Sequence, residues 1–148
     1  MKSVIFSAVL MMGAMFVSNT LSAQQPTDSG AKIEFDKETH DYGDIKYGAN
    51  GGCTFTFKNT GSAPLIISKA TGSCGCTVPT WPKEPIAPGA SAEITVKYDT
   101  KRPGPINKNV TITSNAVNEP SKVIRIKGTV GAAPEGTTPV NSSGPGNN

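Results

Sequence analysis

The residues of this chain best equipped for chemistry are the two cysteines of Ser73-Cys74-Gly75-Cys76-Thr77, one residue apart. A third, Cys53, makes the number odd, so the cysteines cannot all be paired within the chain. Three fates are open. A Cys74–Cys76 bond closes a tiny ring, gains little chain entropy and is liable to strain; easy reduction suits redox work better than stabilisation. A bond from Cys53 to Cys74 or Cys76 closes about twenty residues, is worth roughly 3 kcal/mol on the loop-entropy model, and leaves one thiol free. Two or three thiolates, with His40, the single histidine, suit Cu(I) or Zn(II). The C-x-C spacing is tighter than that of structural zinc sites, however, and His40 beside Asp41 fits a strand-edge hydrogen bond just as well. Structural pairing or thiol burial weighs most, redox work less and metal least. No metal ligand set and no cofactor is assigned.

Little else in the inventory points to catalysis. Carboxylates stand singly, and no Ser/His/Asp set, glutamate pair or Gly-rich phosphate loop is present, so no enzyme is expected. Trp81 lies in a proline-rich stretch just after the cysteine pair, where it can anchor a partner or cap the open end of a β-sandwich; the cap is the better reading. Gly75, Thr77 and Trp81 therefore stand as candidate contact residues within a loop running from Thr71 to Pro88.

The elements that must position these residues have period two. Cys53, Phe55 and Phe57 alternate with polar neighbours, as do Ala92, Ile94, Val96 and Tyr98, then Val110 and Ile112, then Ile124, Ile126 and Val130. Each is the signature of a strand with one face on a core and one in water. Leu65-Ile66-Ile67 is a continuous apolar run, fitting a strand covered on both sides or at the sandwich edge. Ile33 with Phe35, and Tyr42 with Ile45, indicate two more strands near the start. Turn residues fall between these runs: Asn59 to Pro64, Pro88-Gly89, Pro103-Gly104-Pro105 and Asn118-Glu119-Pro120. The first is predicted to be a hairpin that sets Cys53 opposite Lys69 or Ala70, bringing all three sulfurs to one end. No window shows helical spacing. About seven short strands in about 100 residues read as an all-β, immunoglobulin-like antiparallel sandwich.

The ends of the chain carry the address. Lys2, the apolar run Val4 to Val17 and the small residue Ala23 form the three-part layout of a secretory signal peptide cleaved after residue 23. The run is short of the roughly 20 residues needed to span a bilayer, so no membrane span is expected after cleavage. Removing 23 of the 148 residues leaves 125, enough for one domain, with a net charge of +2 once Lys2 is gone from the +3 of the whole. The lysines are scattered, which argues against a nucleic-acid groove. Residues 24–30 and 131–148 are polar and rich in Gly, Pro, Ser and Asn, and are expected to be disordered around a domain at 31–130.

Taken together, His40-Asp-Tyr-Gly-Asp-Ile45, Phe55-Thr-Phe-Lys-Asn-Thr-Gly61, Ala63-Pro-Leu-Ile-Ile67, Ser73-Cys-Gly-Cys-Thr77, Ile86-Ala-Pro-Gly89 and Ile126-Lys-Gly128 occur in an ordered set. This set resembles the bacterial domain-of-unknown-function family DUF1573 from Ile33 to Val130. The resemblance implies an Ig-like fold akin to abnormal-spindle and hydin modules, export, a cell-envelope setting and no established activity. The family's cysteine pair falls on Cys74 and Cys76; Cys53 is outside it. The expectation is an exported binding or assembly module, periplasmic or extracellular, with an unknown envelope protein as partner. The alternative is a thiol-redox or soft-metal protein acting through Cys74 and Cys76. A pilus-type chaperone is a third reading and requires an exposed edge strand.

Overall fold

The computed structural model describes residues 29–136. The expected signal peptide at 1–23, most of the leader at 24–30 and the last twelve residues of the tail lie outside the described residues. Gly30, inside the expected leader, is buried and its carbonyl accepts bonds from the Ser62 and Ala63 amides, so it belongs to the folded unit. Gly131 likewise donates to the Ile45 carbonyl at 2.8 Å.

Eight strands run in the order β1 (Ile33–Phe35), β2 (Thr39–Ile45), β3 (Gly52–Asn59), β4 (Ile67–Gly72), β5 (Thr77–Thr80), β6 (Ser91–Tyr98), β7 (Gly104–Ser114) and β8 (Ser121–Val130). They form two four-stranded sheets, β1-β3-β6-β5 and β2-β8-β7-β4. All pairings are antiparallel except β2 with β8. The Ig-like sandwich expected from the alternation is therefore present. It has eight strands because Thr77–Thr80, expected within a loop, is a short edge strand on β6. Pro79 masks it in the sequence; an edge strand tolerates the missing amide.

The core follows directly from the period. Phe55, Phe57, Ile94 and Val96 from one sheet face inward toward Val110, Ile112, Ile124 and Ile126 of the other, all at 1 % exposure or less. Within the first sheet Cys53 opposes Val96 and Phe55 opposes Ile94, so inner-face residues meet across the strands as sheet stabilisation requires. Burial of several such side chains, at about 1.5–3 kcal/mol each, is the main force joining the sheets.

The expected hairpin between Asn59 and Pro64 does not form. Both edges of β3 are already occupied, by β1 and β6, so β4 has no place beside it and pairs with β7 in the other sheet. The segment instead crosses between sheets, coiled around the Asn59 side chain. That amide, fully buried, accepts from the Lys32 and Gly61 amides and donates to the Ala63 and Ile86 carbonyls. One buried polar group thereby bonds four backbone groups around the crossing, the Ile86 carbonyl among them, which also accepts the Leu65 amide.

Candidate functional site at the cystine turn

The site is an arch between the two sheets. β4 ends at Gly72 on one side, β5 begins at Thr77 on the other, and Ser73–Cys76 spans them. The approach is so close that a Cβ on Gly72 would overlap the Thr77 carbonyl oxygen, which is why glycine stands there. The crossing ends in a tight turn, with the Thr77 amide donating to the Cys74 carbonyl at 3.2 Å. Each stem is tied to a neighbouring strand or strand end. The Ser73 amide donates to the Asn109 carbonyl at 2.8 Å, and the Asn109 amide to Ser73 Oγ at 3.2 Å. On the other side the Asp99 amide donates to the Cys76 carbonyl at 2.9 Å.

Within this frame Cys74 and Cys76 form a disulfide, with Cα atoms 5.2 Å apart. Their exposures differ: Cys76 is 5 % exposed, Cys74 is half-buried, and Gly75 between them is open to solvent. The buried Thr77 hydroxyl lies 3.7 Å from both sulfurs. It is the only hydroxyl hydrogen-bonded to the bond among the described residues.

Cys53 stays apart, a free and buried thiol. It is the second residue of β3, at the same pole as expected, but β6 lies between β3 and β5: Cys53 opposes Val96, and Val96 opposes Pro79. Two strand spacings amount to about 10 Å, and Cys76 lies three residues beyond Pro79 along the sheet, well past the ~7 Å limit for a disulfide. The twenty-residue bridge considered from the sequence is thus excluded by the strand order. Burial pushes the Cys53 thiol upward from its ordinary range, with the Tyr42 hydroxyl acting the other way. Tyr42 itself is raised by burial and by Cys53, and donates to the Gly51 carbonyl at 2.6 Å.

His40 does not join the sulfurs. Its ring stands edge-on to Tyr42 at 4.6 Å and to Phe55 at 6.5 Å between centroids. Burial and Lys37 lower its pKa, against a smaller pull from Asp41. Among the described residues no group of three or more His, Cys, Asp or Glu stands together to hold a metal ion.

The expected contact loop from Thr71 to Pro88 separates into parts with different roles. Gly75 is at the exposed tip; Thr77 is 3 % exposed and works inward. Trp81 is not at the open end of the sandwich but along its side, where Nε1 donates to the Ile67 carbonyl at 3.2 Å and ties the β5 sheet to the β4 edge. Lys83 covers the ring, its Nζ 3.1 Å from the centroid. Beyond it, Ile86 and Leu65 exchange both backbone hydrogen bonds.

Sequence reasoning missed what lies beside the turn. The loop Gly48–Gly51 and the segment Tyr98–Lys101, with Val78, Lys97, Gly75 and Cys76, line a groove of about 640 Å³. Its walls are joined by the Thr100 hydroxyl on the Ala49 carbonyl at 2.5 Å, and by the Gly48 and Tyr98 amides on the Thr100 and Gly51 carbonyls. Val78 is 57 % exposed above it. Neither loop is among the turns read from the sequence, and only the pairing of β3 and β5 with β6 brings them together.

An Ig-like β-sandwich whose two sheets are linked by a cystine arch defines the class of this protein. The family model described as "Protein of unknown function (DUF1573)" matches residues 33–130, and the chain belongs to that family. Among solved structures, a protein of unknown function from Porphyromonas gingivalis W83 shares the fold with a TM-score of 0.61 at 18% identity, covering 72% of this chain and 50% of that one. The ASH / PapD-like domain 7 of human CEP192 matches at 0.56 and 11% identity, over 82% and 100% of the two chains. The secreted serine protease VesC of Vibrio cholerae matches at 0.53 and 16%, over 70% of this chain but 24% of that one. At these identities the likeness is one of fold. This chain spans half the length of the Porphyromonas protein and about a quarter of VesC. No curated protein matches the chain in sequence.

Proposed function

We propose that the protein is an exported binding or assembly module of the cell envelope, and that it meets its partner at the cystine pole. The observation that carries this reading is the groove beside the turn. It is a concavity of about 640 Å³ with pinned walls, the exposed Val78 above it and Lys97, Asp99 and Lys101 at its lining. That volume and mixture of apolar and polar groups fall within the range of binding sites, and rigid sandwiches commonly carry function on such loops. An extended segment of another envelope protein fits this chemistry. Nucleic acid does not, because the cations are scattered. Strand addition to the β1-β3-β6-β5 sheet is less suited: Asn118 bonds both the amide and the carbonyl of Ile33 on the outer side of β1, and Pro79 interrupts β5. Export rests on Lys2, Val4 to Val17 and Ala23, and suits a chain with a disulfide at its surface. Binding rather than turnover is the proposed role.

A photo-crosslinking residue placed at Val78, and separately at Val123 on the outer face of β8, tests the surface in the native cell. Specific adducts from position 78 alone support the reading. Equal labelling from both positions, or none from 78, contradicts it. Mature protein beginning at Gln24 would support export, and an uncleaved cytosolic chain would defeat it.

A second reading, thiol–disulfide chemistry, is favoured by the Cys74–Cys76 bond itself. A ring of three residues constrains the unfolded chain little, so stabilisation is a poor account of its presence.

A further inference from the structure

We propose that the Cys74–Cys76 cystine exchanges with an incoming dithiol in a fixed order: Cys74 Sγ is attacked, and Cys76 leaves as a thiolate held by the Thr77 hydroxyl. This deepens the thiol–disulfide reading and rests on it.

Exchange requires access to one sulfur along the bond axis and a place for the charge released on the other. The two cysteines are unequal in access, while the Thr77 hydroxyl lies 3.7 Å from each sulfur. Cys74 is half-buried and precedes the exposed Gly75, where even an added Cβ would meet nothing within 4 Å. Cys76 is buried and lies against the arch, 3.7 Å from Thr77 Oγ1. A buried thiolate needs a hydrogen-bond donor, and the Thr77 hydroxyl can turn its proton to either sulfur. The arch is also ready for both redox states. Its stems are held by Ser73 on Asn109, by Asp99 on Cys76, and by the contact of Gly72 with Thr77, none of which uses the S–S bond. Opening the bond therefore leaves the two sulfurs close enough to close again.

One thiolate of the dithiol attacks Cys74 Sγ, forming a mixed disulfide, and the S–S electron pair departs to Cys76 Sγ. The second thiolate attacks the dithiol's own sulfur in the mixed disulfide and releases Cys74. Two electrons pass from the dithiol to the protein, the dithiol becomes a cyclic disulfide, and its two protons end on Cys74 and Cys76.

The test uses the full chain without its leader, with dithiothreitol as the dithiol, alkylation to quench and intact mass to count thiols. The bond should open while the fold's circular dichroism and Trp81 fluorescence persist, and re-form when the oxidised dithiol is in excess. In variants that keep one member of the pair beside the buried Cys53, Cys76→Ser should react with an aromatic disulfide at least about tenfold faster than Cys74→Ser, because access governs the attacked sulfur. In the reduced protein, Thr77→Val should move the pH midpoint of alkylation upward, and Thr77→Ser should restore it. A bond that resists the dithiol until the protein unfolds overturns the thiol–disulfide reading and this order with it. A bond that exchanges, but with Cys74→Ser the faster variant or the Thr77→Val midpoint unmoved, overturns the order alone.

Discussion

Removing the disulfide with the double variant Cys74→Ser/Cys76→Ser should cost little stability, and the amount can be worked out. The closed loop holds three residues, since the cysteines are two apart. The chain-entropy relation then gives a loss of about 5.4 cal/mol/K, or about 1.6 kcal/mol at 25 °C. A bridge from Cys53 to Cys76, closing about 24 residues, would be worth about 3.4 kcal/mol on the same relation. The native arch should not relax further, because the Ser73–Asn109 and Asp99–Cys76 backbone bonds and the Trp81–Ile67 bond hold both of its sides. The assay is urea unfolding followed by the fluorescence of Trp81, the single tryptophan. The midpoint should fall by the equivalent of about 1.6 kcal/mol with an unchanged m-value, as expected when the surface exposed on unfolding is the same. A loss above about 3 kcal/mol would refute the reasoning, since it would make the bond a principal brace of the fold.

Three other outcomes follow from particular contacts. Asn59→Ala removes four hydrogen bonds from the crossing, although the Ile86 carbonyl keeps the Leu65 amide; at about 1–3 kcal/mol for each buried group that loses its bond, a loss of at least about 2 kcal/mol is expected in denaturant unfolding. A loss below about 1 kcal/mol would mean that water replaces the side chain and the crossing is not built on it. Gly72→Ala drives a methyl group into the Thr77 carbonyl and should destabilise by about 1–3 kcal/mol, whereas Gly75→Ala, which meets open space, should be near neutral; equal effects would contradict the arch geometry. The lowered pKa of His40 means that the unfolded chain takes up its proton first. Stability should therefore be full above the ordinary value of 6.5 and decline as pH falls below it toward the folded value. The His40→Gln protein should lack that decline, and a slope that persists in it would assign the effect elsewhere.

Alternation along Cys53–Phe57, Ala92–Tyr98 and Ile124–Val130 was enough to read the sandwich, because period two reports which face of a strand meets the core. It does not report which strand lies alongside. The errors share this origin. Asn59-Thr-Gly61 looks like a hairpin turn, yet β3 is already paired on both edges. Ile33 and Tyr42 stand near each other in sequence but enter different sheets, and β2 lies parallel to β8 with a shift in register where Gly43 takes a φ of 60°. Pro79 concealed β5, and with it the insertion of β6 between Cys53 and the arch. The cysteine pair was visible as the chemically interesting feature, but the choice among its pairings depended on strand order. Likewise the groove draws on residues 48–51 and 97–101, whose types carry no chemical signature until the sheet brings them together.

Disulfide mapping of the protein taken from its own compartment, by differential alkylation before and after denaturation, decides which cysteines are bonded in the native molecule. The expected result is a peptide bearing Cys74 bonded to Cys76, and a Cys53 thiol that reacts only after unfolding. A bond from Cys53 to either member of the pair would contradict both the strand order and the site built on it.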